Sequence, residues 1–188
     1  MLFRSVHYYC KIFGFSDAAL RSFSALSACG AVLIFVLGTR SAFSLPARLF
    51  GGAMATGSLY WFVQSQNARN YSLALLVGAG ILALTLALLD EGSRREKAPS
   101  RLLVPLLVLI LISAFTHFYV VFESVGALMV LFVWRPRQRL LMVAAAAAVM
   151  AISFLYLKLF VATHSQIVMG NYWIQKDRKS TRLNSSHR

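Results

Sequence analysis

A chain of 188 residues that is 59% hydrophobic and 13% charged, with a mean hydropathy of +0.67, stands far from the roughly 25% charged residues of soluble domains. An ordinary water-soluble enzyme domain is excluded. The net charge of +13 would suggest nucleic acid in a soluble protein, but here Lys and Arg punctuate long apolar runs, which points to membrane lipids as the surroundings and to no nucleic-acid partner. Two cysteines, Cys10 and Cys29, are too few for a disulfide framework and read as packing residues. No secretory signal pattern opens the chain.

In chain order, Leu2, Phe3, Val6, Tyr9, Cys10 and Phe13 fall at helical spacing on one face while Arg4 and Lys11 avoid it. That pattern predicts an amphipathic helix lying in the membrane interface. Gly14 ends it, and Ser16 as N-cap with Asp17 in the first turn predicts a corner into the next helix. Apolar runs of membrane-crossing size follow at Ser22 to Thr39, Leu45 to Val63, Tyr71 to Leu89, Leu102 to Tyr119, Val120 to Trp134 and Leu140 to Phe160. A span needs about 20 apolar residues, so the fourth and fifth, one stretch too long for a single crossing, are read as a tight helical hairpin. No segment alternates with period two, which leaves a β-barrel unsupported. The expected fold is all-α: a polytopic transmembrane helix bundle of about six spans, with an N-terminal interfacial amphipathic helix. Gly51, Gly52 and Gly57 with Ala53 and Ala55 read as close helix packing, and Ala144 to Ala148 as a smooth packing face.

Basic residues set the expected orientation, since cytoplasmic loops hold the excess of Lys and Arg. Arg40 and Arg48, then Arg94, Arg95, Lys97 and Arg101, then Arg135, Arg137 and Arg139 place nine cations in the odd-numbered connections. The intervening ones hold Arg69 and Lys176. Gln64 to Asn70, Thr116 to Tyr119 and Val161 to Lys176 are therefore expected outside, with Lys158 snorkelling at the outer end of the last span. The first span then starts from an external N-terminus, which suggests that an upstream span has been lost and that Met1 is not the true start. At the other end, Asp177 to His187 matches, codon for codon over eleven residues, the translation of a common sequencing adapter. Residues 1–176 are read as a partial membrane domain and residues 177–188 as a non-native tail, whose removal lowers the net charge to +10, since four cations and Asp177 go with it.

Polar residues at the outer boundary are the candidate site. Gln64 to Tyr71 carries Arg69, the cation that works against the topology. It reads either as an interfacial anchor with Tyr60, Trp61 and Tyr71 as aromatic belt, or as a phosphate clamp, because a guanidinium presents a planar fork of donors and Gln66 adds an amide. His117, with Thr116, stands at the tip of the fourth span, and Glu123 lies in the first two turns of the fifth. A carboxylate at a helix centre costs about 2.5 to 3.5 kcal/mol, less near the interface. His117 reads alternatively as a hydrogen-bonding partner of a neighbouring helix. No metal-ligand spacing and no Gly-rich phosphate loop occurs, so neither metal nor cofactor is expected.

The order of these features, His7 to Arg21 with its Phe13-Gly14 and Ala19-Leu20-Arg21, then Gln66-Asn67-Ala68-Arg69-Asn70-Tyr71, then Thr116-His117-Phe118-Tyr119, resembles polytopic GT-C glycosyltransferases of the dolichyl-phosphate-mannose protein mannosyltransferase type, the bacterial branch in particular. In that family an outward "FG.s..alR" corner leads into a span, "QEARxY" ends a later one and "tHyf" another. The resemblance implies a multi-pass protein of the bacterial inner membrane. It also implies transfer of a sugar from a polyprenyl-phosphate donor to a lipid, glycan or protein hydroxyl at the outer face. Gln66, Arg69 and Tyr71 would border the donor phosphate, and His117 would line the same cavity. The family's catalytic carboxylate, a general base on the acceptor, lies in a first external loop that would precede Met1, so no catalytic residue is expected here and the fragment would be inactive alone. Asn67 stands where the family often has Glu, which leaves that position without an acidic role. The alternative from the residues is a transporter or flippase subunit whose Arg69, His117 and Glu123 line an outward path, though the paired, broken spans of such proteins are not seen.

Overall fold

The computed structural model describes residues 2–14, 16–66, 71–94 and 101–171. Asn67, Arg69 and the tail 177–188 lie outside the described residues. The elements are α1 (Leu2–Phe13), α2 (Asp17–Gly38), α3 (Leu45–Gly57), α4 (Leu59–Gln66), α5 (Tyr71–Arg94), α6 (Leu103–Thr116), α7 (Phe118–Trp134) and α8 (Arg139–Asn171), with a 3₁₀ turn at Pro136–Gln138. No strand occurs among the described residues, and the all-α expectation holds. Among the described residues, three helical stretches are long and apolar enough to cross a membrane: Arg21–Gly38, Tyr71–Asp90 and Pro136–Leu159. They coincide with the first, third and sixth expected spans. α6 and α7 are as apolar but have 14 and 17 residues, about 21 and 26 Å at 1.5 Å per residue, against a hydrocarbon core of about 30 Å.

The side chains are distributed inside-out for a soluble protein. On α2 the large residues Leu26, Leu33 and Leu37 are exposed while Ser24, Ser27, Ala28 and Ala31 are buried. α6 and α7 likewise expose Val104, Val108, Phe115, Met129 and Val133. Small inward residues let helices approach where lipid, as apolar as leucine, supplies no drive to bury large ones. Three of the buried hydroxyls return to their own helix: Ser27 donates to Phe23 O, Thr39 to Phe35 O and Thr85 to Ile81 O, at 2.8, 2.6 and 2.7 Å. Each stays satisfied without breaking the backbone ladder.

The corner between α1 and α2 forms as the sequence predicts. Gly14 takes a φ of +92° with its N–H bonded to Cys10 O at 2.8 Å, the left-handed helix end that glycine adopts without a Cβ clash. Ser16 Oγ accepts from Ala19 N at 3.1 Å and caps α2. α1 is held to α2 by buried Cys10, by Tyr9 Oη 3.0 Å from Ser22 Oγ and by the Tyr9 and Phe23 rings at 5.4 Å. Phe13, placed on the apolar face by its spacing, is exposed but keeps its ring 4.5 Å from Tyr9. Cys29 faces outward instead of packing.

The expected span from Leu45 to Val63 is not one helix. Ser58 divides it into α3 and α4, because its Oγ donates to Ala55 O at 2.7 Å and accepts from Trp61 N at 3.2 Å, capping the end of one helix and the start of the next. The expected boundary of the fourth and fifth spans also moves, from Tyr119 to His117, whose extended backbone (φ −154°, ψ 141°) interrupts the helix for one residue. The hairpin itself forms. Ser124 Oγ donates to Ser113 Oγ at 2.8 Å, although eleven residues of continuous helix would separate them by about 16 Å. Ser113 in turn donates to Ile110 O at 2.6 Å. Ser124→Ala should therefore cost about 0.6 kcal/mol, and at most about 1.7, by denaturant titration in detergent. A larger loss would mean that this bond is not an ordinary interhelical contact.

α5 lies at the centre, packed against α2, α6 and α7. Glycines set two of these approaches: a Cβ at Gly38 would meet the Ala83 Cβ at 2.6 Å, and one at Gly80 would meet Leu109 Cδ1 at 2.7 Å. Gly51 and Gly52 do pack closely, since a Cβ would meet Phe35 Cε1 at 3.1 Å at the first and Val36 Cγ2 at 3.0 Å at the second, whereas a Cβ at Gly57 would meet nothing within 4 Å. The core unites Ile81 and Leu88 of α5, Leu106 and Ile110 of α6, Leu128 and Leu131 of α7, and Met142 and Val149 of α8. Of the alanine run, Ala145 and Ala146 join this core while Ala144, Ala147 and Ala148 face outward.

Arginines from the expected cytoplasmic connections bind backbone carbonyls near that end of the helices. Arg48 Nη1 donates to Val36 O at 2.6 Å, Arg135 Nη2 to Leu88 O at 3.0 Å and Arg139 Nε to Phe132 O at 3.2 Å. A cation beside late carbonyls satisfies them and complements the helix dipole. Contacts divide the chain into Met1–Ser153 and Phe154–Arg188. In the second unit Lys158 Nζ lies 4.9 Å from the centre of the Phe154 ring, a cation on an aromatic face.

Candidate functional site

Within the first unit a cavity of about 400 Å³ is bounded by α2, α3, α4, α5, His117 and α7. Its walls are mostly Ala, Gly, Val, Leu and Phe, with Ala31, Phe35, Gly52, Ala74 and Leu82 among them. Gly51 and Gly52 bring α3 onto α2 and so close one side. From Tyr71 to Leu82 the α5 wall runs about 16 Å.

Polar and aromatic side chains gather toward one end. Tyr71, at the first residue of α5, and His117, at the corner of the hairpin, come from segments 46 residues apart, yet their ring centres are 5.1 Å apart. His117 also stacks on Tyr119, with centres at 4.9 Å and planes 13° apart. Its Nδ1 accepts from Tyr119 N at 3.4 Å and so caps α7. Partial burial holds the His117 imidazole below its ordinary pKa, favouring the neutral ring that can accept this bond. Trp61 of α4 and Glu123 of α7 line the same cavity.

Of the expected site residues, Tyr71 and His117 are therefore brought together. Gln66 is the last residue of α4; its side chain, like the whole of Arg69, lies outside the described residues. The α2 and α3 walls carry no polar signal in the sequence, and only the Gly51-Gly52 pair marks the close approach that forms them. No cluster of three or more His, Cys, Asp or Glu that could hold a metal occurs among the described residues.

No family model, no curated protein and no solved structure matches this chain. What the site can do is read from its own chemistry: a long apolar slot headed by two phenols, an indole and a neutral imidazole. Such a slot suits an amphiphile, its chain against the aliphatic walls and its head at the aromatic end.

Proposed function

We propose that this chain is the donor-binding portion of an integral-membrane glycosyltransferase of the GT-C type. It would use a polyprenyl-phosphate-linked sugar and a lipid, glycan or protein hydroxyl as acceptor, at the outer face of a bacterial inner membrane. The observation that carries the reading is the meeting of Tyr71 and His117 on one cavity, since each belongs to a different motif of the resemblance and the two share no sequence proximity. In this reading Arg69 and Gln66, immediately before Tyr71 in the chain, donate to the phosphate oxygens. The phenol of Tyr71 and the His117 ring border the head group, and the aliphatic walls take the first units of the prenyl chain. The reading assigns these residues to donor binding and none of them to the general base.

The test is Arg69→Ala in the intact protein. A charge-assisted hydrogen bond is worth about 1.5 to 3 kcal/mol, so the donor KM should rise by about tenfold or more while the bundle stays folded. Normal turnover at limiting donor would remove the phosphate clamp. A transporter or flippase role is the second reading, favoured by the shared cavity of His117 and Glu123. Movement of the lipid-linked sugar across vesicles without any glycosyl transfer would select it.

A further inference from the structure

Glu123 has no task in donor binding, yet its placement is specific. Its carboxylate lies against the backbone of α5 at Gly78: a Cβ there would meet Glu123 Oε2 at 2.5 Å and the carboxyl carbon at 3.3 Å. A side chain at this position would displace the carboxylate from where it lies. About 9 Å along α7 from the His117 corner, the Glu123 side chain is accessible and lines the cavity. No Lys or Arg is among the cavity's described lining residues, and no hydrogen bond or ion pair to Glu123 is present among the described residues. A carboxyl group thus faces a mostly apolar space, a place where a bound ammonium would favour its charged form.

The surroundings narrow what could answer that charge. Around the Gly78 seat the neighbouring α5 wall residues Ala74, Leu75, Ala79 and Leu82 are aliphatic and cannot satisfy the several hydroxyls of a polyol, unlike the Tyr71 and His117 end of the cavity. A single cationic head on an apolar arm needs one carboxylate, aromatic faces and dry walls. Trp61, Tyr71 and Tyr119 supply aromatic surface on the same cavity, and ring faces attract ammonium groups. We infer that the Glu123 and Gly78 seat is a binding site for an alkyl- or arylalkyl-ammonium group, the cation on the carboxylate and its apolar arm along α2, α3 and α5. The site goes beyond glycosyl transfer and does not require it.

The probe is 4-phenylbutylammonium, compared with its neutral counterpart 4-phenylbutan-1-ol, titrated by calorimetry into the protein in nanodiscs of phosphatidylglycerol, a lipid without an ammonium. The ammonium should bind wild type about tenfold or more tightly than the alcohol. Glu123→Gln should abolish the preference, and the comparison with this variant cancels the attraction of the anionic bilayer for the probe. Gly78→Ala, which keeps the charge but fills its seat, should weaken the preference. Equal affinity of the two probes for wild type overturns the site, as does a preference that survives in Glu123→Gln. Should that variant not fold, the wild-type comparison and Gly78→Ala decide alone. Nanodiscs containing phosphatidylethanolamine separate two sources of the ammonium. A lowered apparent probe affinity there identifies a lipid head group as the occupant, and an unchanged one identifies a free amphiphilic amine. No arm reads glycosyl transfer, so a failure here and a failure of the donor-binding reading are told apart.

Discussion

Gly38→Leu should be the most destabilising single change in the α2 and α5 pair, lowering stability by several kcal/mol and separating the two helices. A methyl alone at this position would lie 2.6 Å from the Ala83 Cβ and 3.9 Å from its Cα, so the obstacle sits on a neighbouring helix backbone and cannot swing aside. Overpacking of this kind costs about 1 to 3 kcal/mol even for small additions, which outweighs the roughly 1 kcal/mol that a helix gains on losing a glycine. Gly57→Ala provides the contrast, because nothing lies within 4 Å of a Cβ there and the change should be neutral or slightly stabilising. Denaturant titration in detergent reads both. If Gly38→Leu is tolerated as well as Gly57→Ala, α2 and α5 do not pack as described.

Acidification should loosen the start of α7. His117 caps that helix through Nδ1, a role only the unprotonated nitrogen can fill, and a charged imidazolium beside a helix N-terminus also opposes the dipole. Because folding lowers the imidazole's pKa through burial, the unfolded chain takes up a proton first as pH falls. The contribution is thus complete above the ordinary value of about 6.5 and declines below it. Protection of the Tyr119 and Val120 amides, taken relative to the intrinsic exchange rate at each pH, should fall between pH 7 and pH 5 by an amount matching a lost cap, about 1 kcal/mol. His117→Asn keeps an acceptor without titrating in this range, so its exchange should follow only the intrinsic pH dependence. A wild-type profile identical to that of the variant would show that the cap does not depend on the imidazole's charge.

The sequence made the helical class, the α1 corner and the hairpin legible, each through a local signal. Gly14 and Ser16 announce a left-handed helix end followed by an N-cap, and both are found as such. What escaped was decided by side chains that pattern reading treats as neutral. Ser58 looks like a tolerated serine within an apolar run, and only its two-sided hydrogen bonding divides the run into α3 and α4. The hairpin boundary was misplaced because hydropathy is nearly uniform from Leu102 to Trp134, whereas the turn depends on the backbone of one residue, His117. For the site, polar residues at helix ends pointed to Tyr71 and His117, but the depth of the cavity comes from Gly51, Gly52 and Gly78, where information lies in the absence of a side chain. Periodicity carries no record of which helix a glycine faces.

Arg48 and Arg135 have a consequence for how this protein reaches its orientation. Their connections are among those whose positive charge should keep them on the cytoplasmic side during insertion, and the same guanidinium groups later hold the carbonyls of Val36 and Leu88. In the expected orientation one side chain would serve first as an address and afterwards as a clasp. Neutralising it would disturb biogenesis and the finished bundle together, and the two effects could not be separated by yield alone. Arg40, in the connection of Arg48, and Arg101, in the connection between α5 and α6, lie exposed, and substitutions there would change the address while leaving the clasps closed.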